Sequence, residues 1–385
     1  MKILLIIDVI DNGGVGIVMR NMLNHLDTKK YNVDILTFEE NKEYEEYIKK
    51  SIRIIHAYKK NPAKSHNRIV RYTYGVVKEM IPSWYMRKHF SLDDYDVVID
   101  FKGNNLNVLT SAKCKKIYWC HKDFSPDTNL VERYSIENYS RTLNGRFKEQ
   151  SYRKRIGMLD CVVCISDYTR DAFIKRWNYK KPVRVIHNVI DSKTIVTKSL
   201  EKIDYCKNSD TITFCCLSRI SKGKGIERLL NCVKRLNAEK YDFYLNIVGG
   251  GDGFQDVKRL FESMNFSNVR LWGNQKNPYP YLRECDIFVC PSETEAYCTV
   301  LCEAIVLGKP IIMTDVGASR EIMSKGIFGI VVENTEDGVF KGMKSYLDNP
   351  TNIKKYSRDC LHDESPFSID TSMNEVENLF DDIYR

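Results

Sequence analysis

Apolar positions come in short continuous runs separated by turn residues, and between those runs they return every three or four places. Short unbroken apolar runs predict strands buried on both faces, and the wider spacing predicts helices lying on them. In the first half the strand runs are Ile3–Val9, Tyr31–Phe38, Val97–Phe101, Lys116–Cys120, Cys161–Ile165 and Val183–Ile186. In the second half they are Thr211–Leu217, Tyr244–Val248, Val269–Trp272, Ile287–Cys290 and Pro310–Thr314. Helical spacing covers Ile17–Leu26 (Val18, Met22, Leu26), Gly225–Leu236, Leu301–Leu307 and Asp370–Tyr384 (Met373, Val376, Leu379, Ile383). Gly13-Gly14-Val15-Gly16 is read as a loop, and Gly308 as a helix C-terminal cap. Strands alternating with helices predict an α/β chain with parallel sheets and crossover helices.

The chain has 385 residues, enough for two domains. We expect an N-terminal domain over 1–190, a linker over the weakly patterned 191–210, a C-terminal domain over 211–366, and a final helix over 367–385 that crosses back to the first domain. Two such domains facing each other would leave a cleft at the carboxyl ends of their strands, where open parallel sheets bind ligands.

Apolar residues make up 43% and charged residues 29%, which excludes a mostly disordered chain. No apolar run approaches the ~20 residues of a membrane span. Met1–Ile10 resembles a signal peptide briefly, but Asp8 interrupts it and no cleavage site follows, so a cytoplasmic protein is expected. Thirteen cysteines, an odd number without paired C-x-x-C arrays, fit buried free thiols; Cys161 and Cys164 are read this way. The seven histidines are scattered, and no metal is expected. Net charge is +8 but uneven: residues 1–190 carry 34 Lys and Arg against 22 Asp and Glu, the remainder 25 against 29. A basic first half suits an anionic partner such as a diphosphate or an anionic lipid surface.

The candidate chemistry sits in loops that follow strands. Gly13–Gly16 opens a helix, and glycines there let backbone amides approach an anion; a tight turn is the alternative. Ser218–Gly225 carries Arg219, whose planar fork grips two phosphate oxygens, and Lys224, a point charge; an exposed basic turn is the alternative. Pro291–Ala304 places Glu295 in a loop and Glu303 in an apolar helix. A carboxylate among Cys302, Ala304, Ile305 and Val306 needs donors, either sugar and ribose hydroxyls or a buried cation. His121, just past a strand, can hydrogen-bond or move a proton, or be structural.

In this order, GGVG, WCHKD, VIHNVID, LSRISKGKGIERLL, LNIVGGGDG and PSETEAYCTVLCEAIVLGKPIIMTDVGASREI, the chain resembles glycosyltransferase family 4 of the bacterial surface-polysaccharide type. The resemblance is dense from Thr211 to Met323 and thin across 40–115. It implies a GT-B fold of two Rossmann-like domains and a retaining, nucleotide-sugar-dependent hexosyltransferase, a UDP-sugar being favoured. It also implies roles. Gly14 and Gly16 would approach the donor diphosphate, and Arg219 and Lys224 would neutralise it as it leaves. Glu303 would bind ribose hydroxyls and Glu295 the donor sugar. Amides around Cys298, Thr299 and Val300 would cradle phosphate and sugar, with Tyr297 beside them. His121 would contact the sugar, and Trp272 to Gln275, including Asn274, would lie by the base. The family commonly has Gly-Phe-Gly where this chain has Ala296-Tyr297-Cys298, so donor preference is expected to differ.

The mechanism implied is metal-independent transfer with same-face attack, fixed cations meeting the charge on the leaving diphosphate. No cofactor is expected beyond the nucleotide sugar. Basic and aromatic residues alternate over 59–90 (Lys59, Lys60, Lys64, Arg68, Arg71, Lys78, Arg87 and Lys88 among Tyr72, Tyr74, Trp84, Tyr85 and Phe90), and Arg141, Arg146, Lys148, Arg153, Lys154 and Arg155 follow. Such stretches suit an anionic membrane surface, with a solvated basic helix as the alternative. A lipid-diphosphate-linked glycan acceptor at the inner membrane face is therefore expected, with peripheral attachment. The alternatives are a protein or small-molecule acceptor, and a non-catalytic nucleotide-sugar-binding subunit. Nucleic acid is not expected as a partner: no recognition motif is present, and Glu295 and Glu303 would be left unexplained.

Overall fold

The computed structural model describes residues 1–57, 83–124, 143–205, 210–362 and 368–384, with 143–148, 325 and 362 described by backbone alone. The basic and aromatic positions from Lys59 to Lys78, Arg141, and the side chains of Arg146 and Lys148 lie outside the described residues. The chain divides into two compact units, Met1–Val189 with Asp370–Arg385, and Ile190–Ile369.

In the first unit the strands are β1 (Lys2–Val9), β2 (Asn32–Glu39), β3 (Arg53–His56), β4 (Val97–Asp100), β5 (Lys115–Cys120), β6 (Cys161–Cys164) and β7 (Val183–Val185). They form one sheet in the order β3-β2-β1-β4-β5-β6-β7, every neighbouring pair parallel. In the second unit β8 (Thr213–Leu217), β9 (Tyr244–Val248), β10 (Val269–Gly273), β11 (Ile287–Cys290), β12 (Ile311–Thr314) and β13 (Gly329–Val332) take the order β10-β9-β8-β11-β12-β13, again parallel. Both sheets therefore reverse strand order beside their first strand, and a crevice opens at the carboxyl ends there.

The central strands are buried along their length, as continuous apolar runs require. Helix Ile226–Ala238 shows the matching pattern: Ile226, Leu229, Leu230, Val233 and Leu236 are buried on one stripe. Each such side chain contributes roughly 1.5–3 kcal/mol. Cys161 and Cys164 lie buried in β6, and burial pushes the Cys161 thiol up to about 11, so it stays protonated and unreactive.

Two expectations need correction. Helix Gly14–His25 starts inside the expected glycine loop, with Gly13 as its N-cap. The turn into it is tight: a Cβ on Gly16 would lie 2.2 Å from the Asp11 carbonyl oxygen. Arg20 ties the same turn from below, donating to Asp11 O at 2.6 Å and Asn12 Oδ1 at 3.1 Å. The expected linker 191–210 opens with a helix, Ser192–Ser199, inside the second unit. Asp191 starts it by accepting from Thr194 N at 3.0 Å and Thr194 Oγ1 at 2.7 Å, and Ile195 is buried.

The helix Ile369–Tyr384 packs into the first unit. Tyr31 Oη donates to Asp381 Oδ1 at 2.8 Å, Arg184 pairs with Asp382 at 2.7 Å, and the Tyr31 and Phe380 rings meet edge-on. Among the described residues no helix is long and apolar enough to cross a membrane.

Candidate active site

In the second unit the crevice lies between the loops after β8 and β11. Gly225 carries a positive φ of 69°, and a Cβ there would lie 1.9 Å from Pro291 O, so only glycine lets the two loops close on each other. Glu293 N donates to Gly223 O at 2.8 Å and fixes their register. That places Lys224 against Glu295: Nζ to Oε1 is 2.7 Å, and the same oxygen accepts from Ser292 Oγ at 2.8 Å. Burial works against the Lys224 ammonium, but the Glu295 carboxylate more than offsets it, and the Lys224 pKa is raised. Lys224 is thus a fixed, half-buried cation. Arg219, two residues past the end of β8, is exposed and makes no ion pair among the described residues.

The helix Thr299–Val306 begins beside this pair. Its N-cap is Cys298, which makes no side-chain cap hydrogen bond, so the first amides, at Thr299 and Val300, are left for another acceptor. Helices after β6, β7 and β13 instead start with Ser166, Asp191 and Thr335, each bonded to a first-turn amide. The starts left without such a cap include those after β1, β8 and β11, next to the two crevices.

Glu303 is buried, and burial raises its carboxyl to about 7. Among the described residues it accepts one long contact, from Tyr279 Oη at 3.4 Å, and no cation pairs with it. Tyr297 is also buried; its hydroxyl accepts from Cys302 Sγ at 3.9 Å, which points it into the protein. Asn274 is exposed at the end of β10, where Gly250 would crowd it if it bore a Cβ (2.9 Å). Trp272 is anchored through Nε1 to Asn246 Oδ1 at 2.9 Å.

The first unit places its predicted residues at the ends of different strands. Gly14 is exposed and Gly16 buried at the turn after β1. His121 follows β5, two strands away in the sheet. The His121 residue is half-buried, yet its Nε2 is fully covered and lacks a hydrogen-bond partner. Burial, helped by the Lys102 charge, lowers its pKa to about 3, so the imidazole is neutral at physiological pH. It stands against Phe101, ring centroids 4.9 Å apart. The sequence reading missed Ser292, Tyr279 and Asn334, which bonds Glu293 O at 3.0 Å. No motif marks them; only Ser292, inside the loop of Glu295, had a positional signal.

Two Rossmann-like parallel-sheet units of this kind define a GT-B protein. The fold agrees with that of HepE of Anabaena, solved in complex with UDP and glucose: TM-score 0.72, 16% identity, 99% of each chain covered. Residues 12–194 match the family model described as Glycosyltransferase Family 4, and residues 198–360 match that of Glycosyl transferases group 1. The chain therefore belongs to the glycosyltransferases, a Family 4 domain followed by a group 1 domain. It is 30% identical over 204 residues to an uncharacterized 41.2 kDa protein in the cps region of Klebsiella pneumoniae, covering 51% of this chain and 54% of that one. It is also 30% identical over 179 residues to the N-acetylgalactosamine-N,N'-diacetylbacillosaminyl-diphospho-undecaprenol 4-alpha-N-acetylgalactosaminyltransferase of Campylobacter jejuni, covering 46% of this chain and 47% of that one. The chain spans about half the length of these curated relatives.

Proposed function

We propose that this chain transfers a hexosyl unit from a nucleotide sugar, with UDP as the nucleotide, to a lipid-diphosphate-linked glycan in surface polysaccharide assembly, retaining the anomeric configuration. The observation that carries the reading is Glu303: a carboxylate buried with no cation among the described residues, held by one long contact from Tyr279. Such a group gains most from a ligand that brings two neighbouring hydroxyls, as ribose does. The sugar diphosphate then falls to Lys224, Arg219 and the uncapped amides of Thr299 and Val300. As the glycosidic bond breaks, negative charge grows on the diphosphate, and in this reading these groups meet it. Fixed cations do this work in the proposal, so turnover needs no added metal. His121, neutral, offers a hydrogen bond to a sugar hydroxyl and does not act as a general acid.

The UDP and the acceptor are supported by likeness alone: HepE is solved with UDP, and the Campylobacter relative is named for a diphospho-undecaprenol acceptor. Membrane attachment is supported by helix Ser83–His89, where Trp84 and Tyr85 are exposed beside Arg87 and Lys88. The deciding experiment is a panel of nucleotide sugars tested for binding and slow hydrolysis with chelator present. One donor that binds and releases its nucleotide supports the reading. If none binds, it fails.

A further inference from the structure

Beside the Lys224–Glu295 pair lie two thiols to which the proposed sugar transfer gives no side-chain role. Cys290 ends β11 and Cys298 caps the helix Thr299–Val306; both are buried free thiols. Nothing in their separation of eight positions suggests a ligand pair, since C-x-x-C spacing is absent between them. The fold nevertheless brings Cys290 Sγ and Cys298 Sγ to 3.8 Å. A carboxylate oxygen of Glu295 joins them, all three ligand atoms lying within 4.8 Å of one another. Two thiolates each about 2.3 Å from a tetrahedral zinc ion stand about 3.8 Å apart, the separation seen here.

We propose that Cys290, Cys298 and Glu295 bind one thiophilic divalent metal ion, Zn²⁺ being the natural case. Binding forms two metal–sulfur bonds and one metal–oxygen bond, and the two thiol protons leave to solvent. A fourth position remains for solvent. Soft thiolates select zinc or cadmium over magnesium. Two further thiol pairs, Cys120 with Cys164 and Cys215 with Cys285, are hydrogen-bonded, but neither joins a third ligand among the described residues. The consequence rests on the transferase reading: metal on Glu295 draws that carboxylate away from Lys224 and seats a second cation beside it, so the metal inhibits turnover.

The test is titration of the full reduced chain with Cd²⁺ and Zn²⁺, followed by calorimetry and by the ultraviolet absorption of cadmium–thiolate bonds. One equivalent should bind with two thiolates. Cys298→Ala and Cys290→Ser should each weaken binding by roughly tenfold or more, while Cys161→Ala should leave it unchanged. Glu295→Gln serves if a cysteine variant fails to fold, and it should weaken binding without removing the thiolate band. Unchanged affinity in Cys298→Ala, or loss with Cys161→Ala, overturns the site. If metal binds through both cysteines but no nucleotide binds in its presence or absence, the metal site stands and the transferase reading falls.

Discussion

The two units share one strand order but use the crevice at its reversal in opposite ways. In the first unit the carboxylates there are already satisfied. Asp100, fully buried, accepts from Gly103 N at 2.9 Å and Asn105 N at 2.7 Å, and Asp8 accepts from the side chains of Asn104 and Asn105. Lys122, whose pKa burial lowers, donates to Gly103 O at 2.8 Å in the same loop. In the second unit Glu303 is held by one long contact, the amides at Thr299 and Val300 have no side-chain cap, and Arg219 is exposed. The same topology thus gives a closed junction in one place and an open site in the other. What differs is whether the polar groups are spent within the chain.

The largest effect should come from Lys224→Ala, which removes the fixed cation of the open crevice. We expect kcat to fall by roughly a hundredfold to a thousandfold in steady-state kinetics; near-normal turnover would sink the assignment. Next is Glu303→Gln. The Glu303 carboxyl is raised in the folded chain from about 4.5 to about 7. The stability this protonated group contributes is therefore full below pH 4.5 and is lost as pH rises through 7. At pH 8 the unliganded wild type bears a cost on the order of 3 kcal/mol that Glu303→Gln lacks. Thermal unfolding at pH 5 and pH 8 should show the variant more stable only at the higher pH, with weaker nucleotide binding. The closed junction should answer in the opposite sense. Asp100→Ala should cost roughly 1–3 kcal/mol in urea unfolding by stranding the amides of Gly103 and Asn105, with donor affinity unchanged. Smallest is Ser166→Ala, which removes a structural cap and should cost about 1 kcal/mol while leaving kcat alone; a drop in kcat would show that capped helix starts also serve the chemistry.

Most of the sheet was legible because its strands are unbroken apolar runs. Ile3 to Ile7 are buried along β1, and Ile287 to Val289 along β11. The edge strand β3 was not, because Arg53 and His56 are exposed and break the run. Helix Ser192–Ser199 was missed because its start depends on the Asp191 cap, a local bond that periodicity does not register. At the site, Lys224 and Glu295 were legible as loop residues after strands, but their pairing was not, since 71 positions separate them. Glu303 was legible as an acid in an apolar helix. Its partner among the described residues, Tyr279, 24 positions earlier, carries no motif.

The helix Ile369–Tyr384 gives the first unit a debt to the far end of the chain. Asp381 lies 350 positions from the Tyr31 hydroxyl that it accepts from. During synthesis the whole second unit, residues 190–369, leaves the ribosome before that helix exists. At about 5–20 residues per second, the first unit waits on the order of 10–40 s for its last piece. Through that interval Tyr31 and the apolar surface that will bury Phe380 are open to the cell, and a chaperone has its window there.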